Sequence, residues 1–317
     1  MIKVIKFGGT IINNPKYQNQ ILKIINNEIG KSNKLLIVVS AIGRDNDSYS
    51  TSTFEKLGNN LNNVEKAELL SYGERISSLV FLNFLLSNKY QAKVVDINEI
   101  GINLKNDYLN GDIMSLDNTN IIKSLDNFDI VVVPGFIGLN RGKVGLLGKG
   151  GSDLTAICLA KMLGLNSIDL YKDVNGVMSG DPKIIASPIT INNLSYDELI
   201  LFAKCGAKVV QEKAIKMAKD EDIMINVFSI DSLKVKTKIS KQNSNLDFKG
   251  VLSKQDKIFL IGNIKKLDCE HICKLLEFYN FECLDKINND NYLEIKIQGG
   301  KRNFAMNVLH HHFICKN

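Results

Sequence analysis

A glycine-rich segment between a buried strand and a helix constrains the fold more than any other feature of this chain. The apolar, β-branched run 130–133 has the character of a buried strand. Glycines then recur up to Gly151, and a helical pattern covers 154–163. Ser152 and Asp153 therefore lie at a helix N-terminus, where free N–H groups and the helix dipole favour an anion. A plain loop closed by a Ser or Asp helix cap fits the same residues.

Similar strand ends recur along the first 230 residues. Strand 2–7 contains Lys6 and runs into Gly8-Gly9, and strand 167–171 runs into Lys172-Asp173. Alternating strands and helices predict an α/β fold with a mostly parallel sheet covered by helices. Ligands bind such sheets at the carboxyl ends of the strands. The chain contains neither G-x-x-x-x-G-K-[ST] nor a G-x-G-x-x-G after its first strand, which disfavours both common nucleotide-binding folds.

Composition narrows the class of protein. The 317 residues are 44% hydrophobic and 23% charged, as in an ordinary globular protein. The net charge of +6 is spread along the chain, and no apolar run approaches the ~20 residues of a membrane span. The six cysteines are scattered, which favours free thiols in a reducing compartment. We expect a cytoplasmic protein without a nucleic-acid or membrane partner.

The last quarter of the chain differs from the rest. Residues 232–250 are polar and read as a linker, and the following order of elements, βαββα, predicts a small ferredoxin-like α+β unit over 251–317. All four histidines lie at position 271 or later, so the domain over 1–231 has no histidine for a base or a metal ligand. The run His310-His311-His312 predicts no metal site, because adjacent helical residues point in different directions.

The remaining residue types suit phosphoryl transfer. Lysines and glycine amides at strand ends can bind a polyphosphate, and Asp can orient a lysine or bind magnesium. Such transfer requires positioning and charge neutralisation more than covalent help. A carboxylate acceptor, with a reference pKa near 4, needs no general base. Glu74 lies beside Gly73 in a long helical pattern, which suggests close approach to a ligand, although an exposed Glu74–Arg75 pair fits as well.

Seven motifs, in this order along residues 1–230, resemble those of aspartate kinase. They are Lys6-Phe-Gly-Gly-Thr10, Val38-Val-Ser-Ala41, Ser71-Tyr-Gly-Glu-Arg-Ile-Ser77, Gly135-Phe-Ile-Gly138, Gly148-Lys-Gly-Gly-Ser-Asp153, Asp173-Val-Asn-Gly-Val-Met-Ser-Gly-Asp-Pro182 and Gly206-Ala-Lys-Val209. The resemblance implies the amino-acid-kinase fold, an αβα sandwich, with an ACT-type regulatory module. It also implies ATP- and Mg²⁺-dependent phosphorylation of L-aspartate to 4-phospho-L-aspartate, the entry step to lysine, threonine and methionine biosynthesis.

The resemblance also implies roles for individual residues. Lys6 would stabilise the charge of the transferring phosphoryl group, and Asp153 would organise that lysine. The residues expected around ATP are Lys6, Gly8, Gly9, Thr10, Lys172, Asp173, Met178, Asp181, Lys183 and Lys208. The residues expected around aspartate are Ser40, Thr51, Glu74, Lys149 and Ser152. No side chain is assigned as a metal ligand.

Two departures from the family pattern leave alternatives open. Lys149 stands where the family usually has Arg, and lysine loses bidentate recognition of a carboxylate. The segment 251–317 has room for about one ACT module where aspartate kinases usually carry two. We expect a homodimer supported by this module. The alternatives are a kinase of the same fold with another carboxylate acceptor, and a non-catalytic nucleotide-binding homologue.

Overall fold

The computed structural model describes residues 1–31, 33–44, 46–207, 209–266, 269–297 and 301–315. The strands within these residues are β1 (Ile2–Phe7), β2 (Lys34–Val39), β3 (Ala92–Val94), β4 (Ile102–Lys105), β5 (Asp112–Leu116), β6 (Ile130–Pro134), β7 (Ile137–Asn140), β8 (Lys143–Leu146), β9 (Ser167–Lys172), β10 (Asn193–Ser195), β11 (Met224–Ser229), β12 (Lys234–Ser240), β13 (Phe248–Lys254), β14 (Lys257–Gly262), β15 (Cys283–Asn289) and β16 (Tyr292–Ile297).

The α-helices of the same residues follow in chain order. They are α1 (Gly9–Ile12), α2 (Gln18–Ile29), α3 (Thr51–Leu57), α4 (Asn63–Ser87), α5 (Thr119–Asn127), α6 (Gly151–Met162), α7 (Tyr196–Lys204), α8 (Glu212–Asp220), α9 (Cys269–Phe278) and α10 (Arg302–Phe313). None of the described helices combines the length and the apolar character needed to cross a bilayer.

The central sheet has the strand order β10-β12-β11-β9-β1-β2-β6-β3 in the described chain. Its neighbouring strands are parallel except for β11 and β12. The apolar run Leu35–Val39 of β2 is fully buried, as expected where helices cover both faces of a parallel sheet. Val4 and Ile5 of β1 belong to separate apolar clusters, because successive side chains of a strand point to opposite faces. The predicted αβα sandwich is confirmed.

Strand register brings the motif loops together. In the parallel ladders Phe7 of β1 lies opposite Val39 of β2 and Tyr171 of β9, and Val39 lies opposite Pro134 of β6. These four strands therefore end at one edge of the sheet. The loops that follow them begin at Gly8, Ser40, Gly135 and Asp173.

A smaller sheet, with the order β5-β4-β7-β8, leads the chain into helix α6. After β8 the backbone turns at Gly150, whose φ of 82° lies in the left-handed region that glycine adopts without strain. Helix α6 consequently begins at Gly151, earlier than the sequence pattern predicts, and its first turn contains Ser152 and Asp153. This turn faces the edge of the central sheet where the strands end.

The prediction of a linker over 232–250 is wrong for much of its length. Residues Lys234–Ser240 form β12, which pairs with β11 and β10 inside the central sheet. The burial of side chains alternates along this strand, which overall composition does not show. Thr237 and Ile239 are buried, whereas the intervening Lys238 is exposed. The chain between the central sheet and β13 is therefore only residues 241–247.

The C-terminal sheet is antiparallel, with the order β13-β14-β16-β15, and it packs with α9 and α10. Sequence alone indicates a βαββα unit that lacks a closing strand. The fourth strand of the sheet is β13, which precedes this unit in the sequence. It forms a hairpin with β14 and lies beside it at one edge of the sheet.

Candidate active site

A buried carboxylate with two lysines stands at the centre of the site. Asp153 accepts a hydrogen bond from Lys6 Nζ on Oδ1 at 2.8 Å, and its Oδ2 lies 3.3 Å from Lys172 Nζ. Lys172 also donates to the carbonyl oxygen of Val209. Lys6 and Lys172 are at the carboxyl ends of β1 and β9, which are neighbours, so both reach the first turn of α6.

The charges of this cluster do not cancel. Burial acts to raise the pKa of Asp153, but the positive charges of Lys172 and Lys6 outweigh it and hold that pKa below its usual value. Burial also lowers the pKa of Lys172, and the attraction of Asp153 only partly opposes the effect. One carboxylate faces two ammonium groups, so the cluster has an excess positive charge that an incoming phosphate can neutralise.

Close backbone packing explains the glycines after β1. A Cβ on Gly9 would lie 1.9 Å from the carbonyl oxygen of Ala41, so any side chain there would force the loop after β2 away. Gly8 is open, with only the carbonyl oxygen of Tyr171 within 4 Å of such an atom. Gly8 therefore leaves the backbone accessible to a ligand, whereas Gly9 packs two strand-end loops together.

A cavity of about 410 Å³ is lined by Ser152, the residue before Asp153 in the first turn of α6. Its size suits an amino acid. It is lined by all five residues that the resemblance assigns to the acceptor, namely Ser40, Thr51, Glu74, Lys149 and Ser152. Gly9 lines this cavity too. The cavity is therefore built from the loop after β2, from α3 and α4, and from the loop before α6.

Glu74 supplies a buried carboxyl group to the smaller cavity. Its Oε1 accepts a hydrogen bond from the Ala41 N–H at 3.2 Å, and its Oε2 is buried with no partner among the described residues. Burial raises the pKa of Glu74 to about 8. Gly73 permits this approach, because a Cβ there would come within 2.9 Å of the Ala41 Cβ. An unpaired, buried carboxyl group is suited to accept hydrogen bonds from an ammonium group.

A second cavity of about 880 Å³ is lined by Lys6 and Lys172 of the cluster. Its size suits a nucleotide. The residues assigned to ATP that line it are Lys6, Gly8, Lys172, Asp173, Met178, Asp181 and Lys183. Thr10 is half-buried on α1 and lines neither cavity, and Lys208 lies outside the described residues. The loop after β1 therefore contributes to both cavities, with Gly9 in the amino-acid-sized one and Gly8 in the nucleotide-sized one.

Sequence reasoning missed three contributors to these cavities. Residues 252–255 of the β13–β14 hairpin line the larger cavity, and no local pattern in the sequence indicates this contact. Arg44 bonds Asp173 across the strand-end loops at 2.6 Å. Lys66 lines the smaller cavity. It lies eight residues before Glu74 on the same helix, a spacing that places both on one helix face and that the sequence already shows.

Comparisons with known proteins agree with this geometry. The model of the amino acid kinase family matches residues 1–229. Aspartokinase of Geobacillus stearothermophilus is 34% identical over 229 residues, which are 72% of this chain and 56% of that protein. Aspartokinase 1 of Bacillus subtilis is 32% identical over 249 residues, which are 77% of this chain and 62% of that protein. The chain thus spans less than two thirds of the length of these relatives.

Solved structures share the fold at lower sequence identity. E. coli aspartokinase III, in complex with aspartate and ADP, superposes with a TM-score of 0.67 over 95% of this chain and 79% of that chain, at 19% identity. Uridylate kinase from Archaeoglobus fulgidus superposes with a TM-score of 0.53 over 75% of this chain and 100% of that chain, at 17% identity. The first match extends the similarity into the C-terminal sheet.

Proposed function

The chain belongs to the amino acid kinase family, and we propose that it transfers the γ-phosphoryl group of ATP to the side-chain carboxylate of L-aspartate. The product is 4-phospho-L-aspartate, which opens the route to lysine, threonine and methionine. The observation that carries the proposal is the buried cluster of Lys6, Asp153 and Lys172 at the junction of the two cavities. The two aspartokinase relatives support the choice of acceptor.

The acceptor cavity has the charges that aspartate requires. Glu74 accepts hydrogen bonds from the substrate ammonium group, and Lys149 at the rim attracts the α-carboxylate. The side-chain carboxylate then points to Lys6 at the junction. It is ionised at neutral pH and attacks the phosphorus atom without a general base. This agrees with the absence of histidine before position 271.

Lys6 and Lys172 act on the phosphoryl group. Their ammonium groups face the larger cavity, where they neutralise the charge that spreads over the phosphoryl oxygens in the transition state. Asp153 lines neither cavity and is a positioning residue that holds Lys6 in place. Gly8 adds a backbone segment that a phosphate can approach closely.

The site suits a magnesium ion that arrives with the nucleotide. Magnesium binds phosphates through one or two carboxylates and keeps several of its waters. Asp181 lines the nucleotide-sized cavity and is the carboxylate available to it, because two lysines already occupy Asp153 and Arg44 occupies Asp173. When bound, the ion would neutralise phosphate charge.

We also propose that the protein is a homodimer in the cytoplasm. The free thiols of the described cysteines support a reducing compartment.

The test is ATP-dependent formation of an acyl hydroxamate from L-aspartate in the presence of hydroxylamine, which traps an acyl phosphate. We expect hydroxamate from the wild type and at least a 100-fold loss in Lys6→Ala. Lys16→Ala is a matched control, because this lysine pairs with Asp231 at the surface. Hydroxamate from another amino acid but not from aspartate would show a different acceptor, which Lys149 in place of Arg makes the leading alternative. Nucleotide binding without transfer to any acceptor would favour the non-catalytic homologue.

A further inference from the structure

Lys66 lies on the face of α4 that forms one wall of the acceptor cavity. Lys66, Leu70 and Glu74 are four residues apart, so they share this helix face, and all three line the cavity. Eight residues of helix separate the Cα atoms of Lys66 and Glu74 by about 12 Å. Glu74 is buried at the inner end of this wall and Lys66 is half-buried towards its outer end.

The neighbouring acids on α4 are engaged elsewhere. Glu65 Oε2 accepts from the N–H of Asn62 in a capping box, and Glu68 accepts from Arg75 at 2.9 Å. The positions three and four residues from Lys66 on either side are Asn or Leu. Among the described residues, Lys66 therefore has no carboxylate within ion-pairing distance.

The other charged groups that line the cavity do not pair with Lys66 either. Arg44 is bonded to Asp173. Lys149 is exposed and, within the described chain, forms no ion pair, and Glu55 of α3 lines the cavity without pairing with Lys66. Two lysines on separate walls, one on α4 and one on the loop before α6, thus face the same space.

We propose that Lys66 binds the α-carboxylate of the acceptor together with Lys149 and so determines specificity for amino acids with a free α-carboxylate. The inference rests on the proposed function and deepens it. A single lysine is a point charge that cannot form the two parallel hydrogen bonds of a guanidinium fork. Two lysines from different walls can each bind one carboxylate oxygen and restore two-point recognition.

The experiment compares Lys66→Met with the wild type by titration calorimetry and by the hydroxamate assay. Methionine keeps the length and the helix propensity of lysine and removes its charge. We expect the Kd and KM for aspartate to rise about tenfold or more, with kcat and the KM for ATP unchanged. Lys66→Arg should restore most of the affinity. Lys23→Met is the matched control, because Lys23 is exposed on α2, away from both cavities.

An aspartate analogue with an α-amide identifies the partner of Lys66. Loss of the α-carboxylate charge should weaken binding to the wild type, and Lys66→Met should cause no further loss with this analogue. An equal penalty for aspartate and for the α-amide would overturn the proposal, and so would an unchanged Kd for aspartate. If the wild type binds aspartate but forms no hydroxamate, the proposed transfer fails while the same titrations still decide the role of Lys66. If the wild type does not bind aspartate, the Lys66 proposal is refuted as well.

Discussion

Glu74→Gln should make the protein more stable while it weakens acceptor binding. Burial raises the pKa of Glu74 to about 8, whereas the carboxyl group in the unfolded chain ionises near 4.5. The folded state therefore binds more protons than the unfolded state between these two values, so stability falls as the pH rises through this range. Glutamine is an isostere of the protonated carboxyl group, and its Oε1 can keep the hydrogen bond from Ala41.

The size of the effect follows from the two pKa values. Each pH unit above 4.5 costs the wild type about 1.4 kcal/mol until the folded-state pKa is reached. The variant should be more stable than the wild type by about 3 kcal/mol at pH 7 and by up to about 5 kcal/mol above pH 8. Below pH 4.5 the two proteins should have nearly equal stability, because Glu74 is then neutral in the unfolded chain as well as in the folded one.

Urea denaturation of both proteins at pH 5, 6, 7 and 8 measures the difference in their free energies of unfolding. The contributions of the other titrating groups are the same in both proteins and cancel in this difference. At pH 8 and above, where Glu74 is ionised, the aspartate Kd should rise about 100-fold in the variant, because the substrate ammonium group loses a charged acceptor. The wild type should bind aspartate more tightly as the pH rises towards 8. A difference in the free energy of unfolding that does not change with pH would refute the reasoning, since it would mean that Glu74 does not titrate across this range.

Three further substitutions test other parts of the structure. Asp153→Asn should lower kcat about 100-fold with little change in the KM for aspartate, because two buried lysines lose their counter-ion; steady-state kinetics decide this. Gly73→Ala should weaken aspartate binding in calorimetry, although alanine favours a helix, because the new Cβ would lie 2.9 Å from that of Ala41. Lys3→Met should lower the free energy of unfolding in urea by about 3 kcal/mol, because it removes the 2.7 Å ion pair to buried Asp169.

Residues at strand ends could be placed from the sequence because parallel strands share one edge of a sheet. An apolar run that stops at glycine or at a charged residue is visible locally, and the fold then brings such ends together. Lys6 and Lys172 are separated by 166 positions in the sequence (172 − 6) and meet at Asp153 for this reason. Of the five residues assigned to the acceptor, Ser40 follows a strand of the central sheet, whereas Thr51 and Glu74 lie on α3 and α4. Lys149 and Ser152 belong to the segment that leads into α6.

Other features depend on contacts or periods that composition does not show. Composition predicts a linker where strand β12 lies, because lysines are frequent there, but the buried side chains Thr237 and Ile239 alternate with exposed or half-buried ones as in a strand. The sequence does not single out Lys66, because a half-buried lysine on a helix cannot be told from a solvated surface lysine by its sequence context. The spacing of Lys66 from Glu74 indicates a shared function only once the structure shows that this face of α4 lines the cavity.

The nucleotide-sized cavity is a composite of the central and C-terminal sheets. Gly206, with a φ of 112°, lets the chain after α7 approach the β13–β14 hairpin, because a Cβ there would lie 2.4 Å from the carbonyl oxygen of Ser253. Ser179 Oγ accepts from the N–H of Ile189 and lies 2.7 Å from Nε2 of buried His310 on α10. Burial lowers the pKa of His310, which favours a neutral imidazole, and the tautomer of the ring sets which of the two atoms donates. Met178 and Gly180 on either side of Ser179 line the cavity, as residues 252–255 of the hairpin do, so the C-terminal sheet contacts the nucleotide-sized cavity directly and also through this loop.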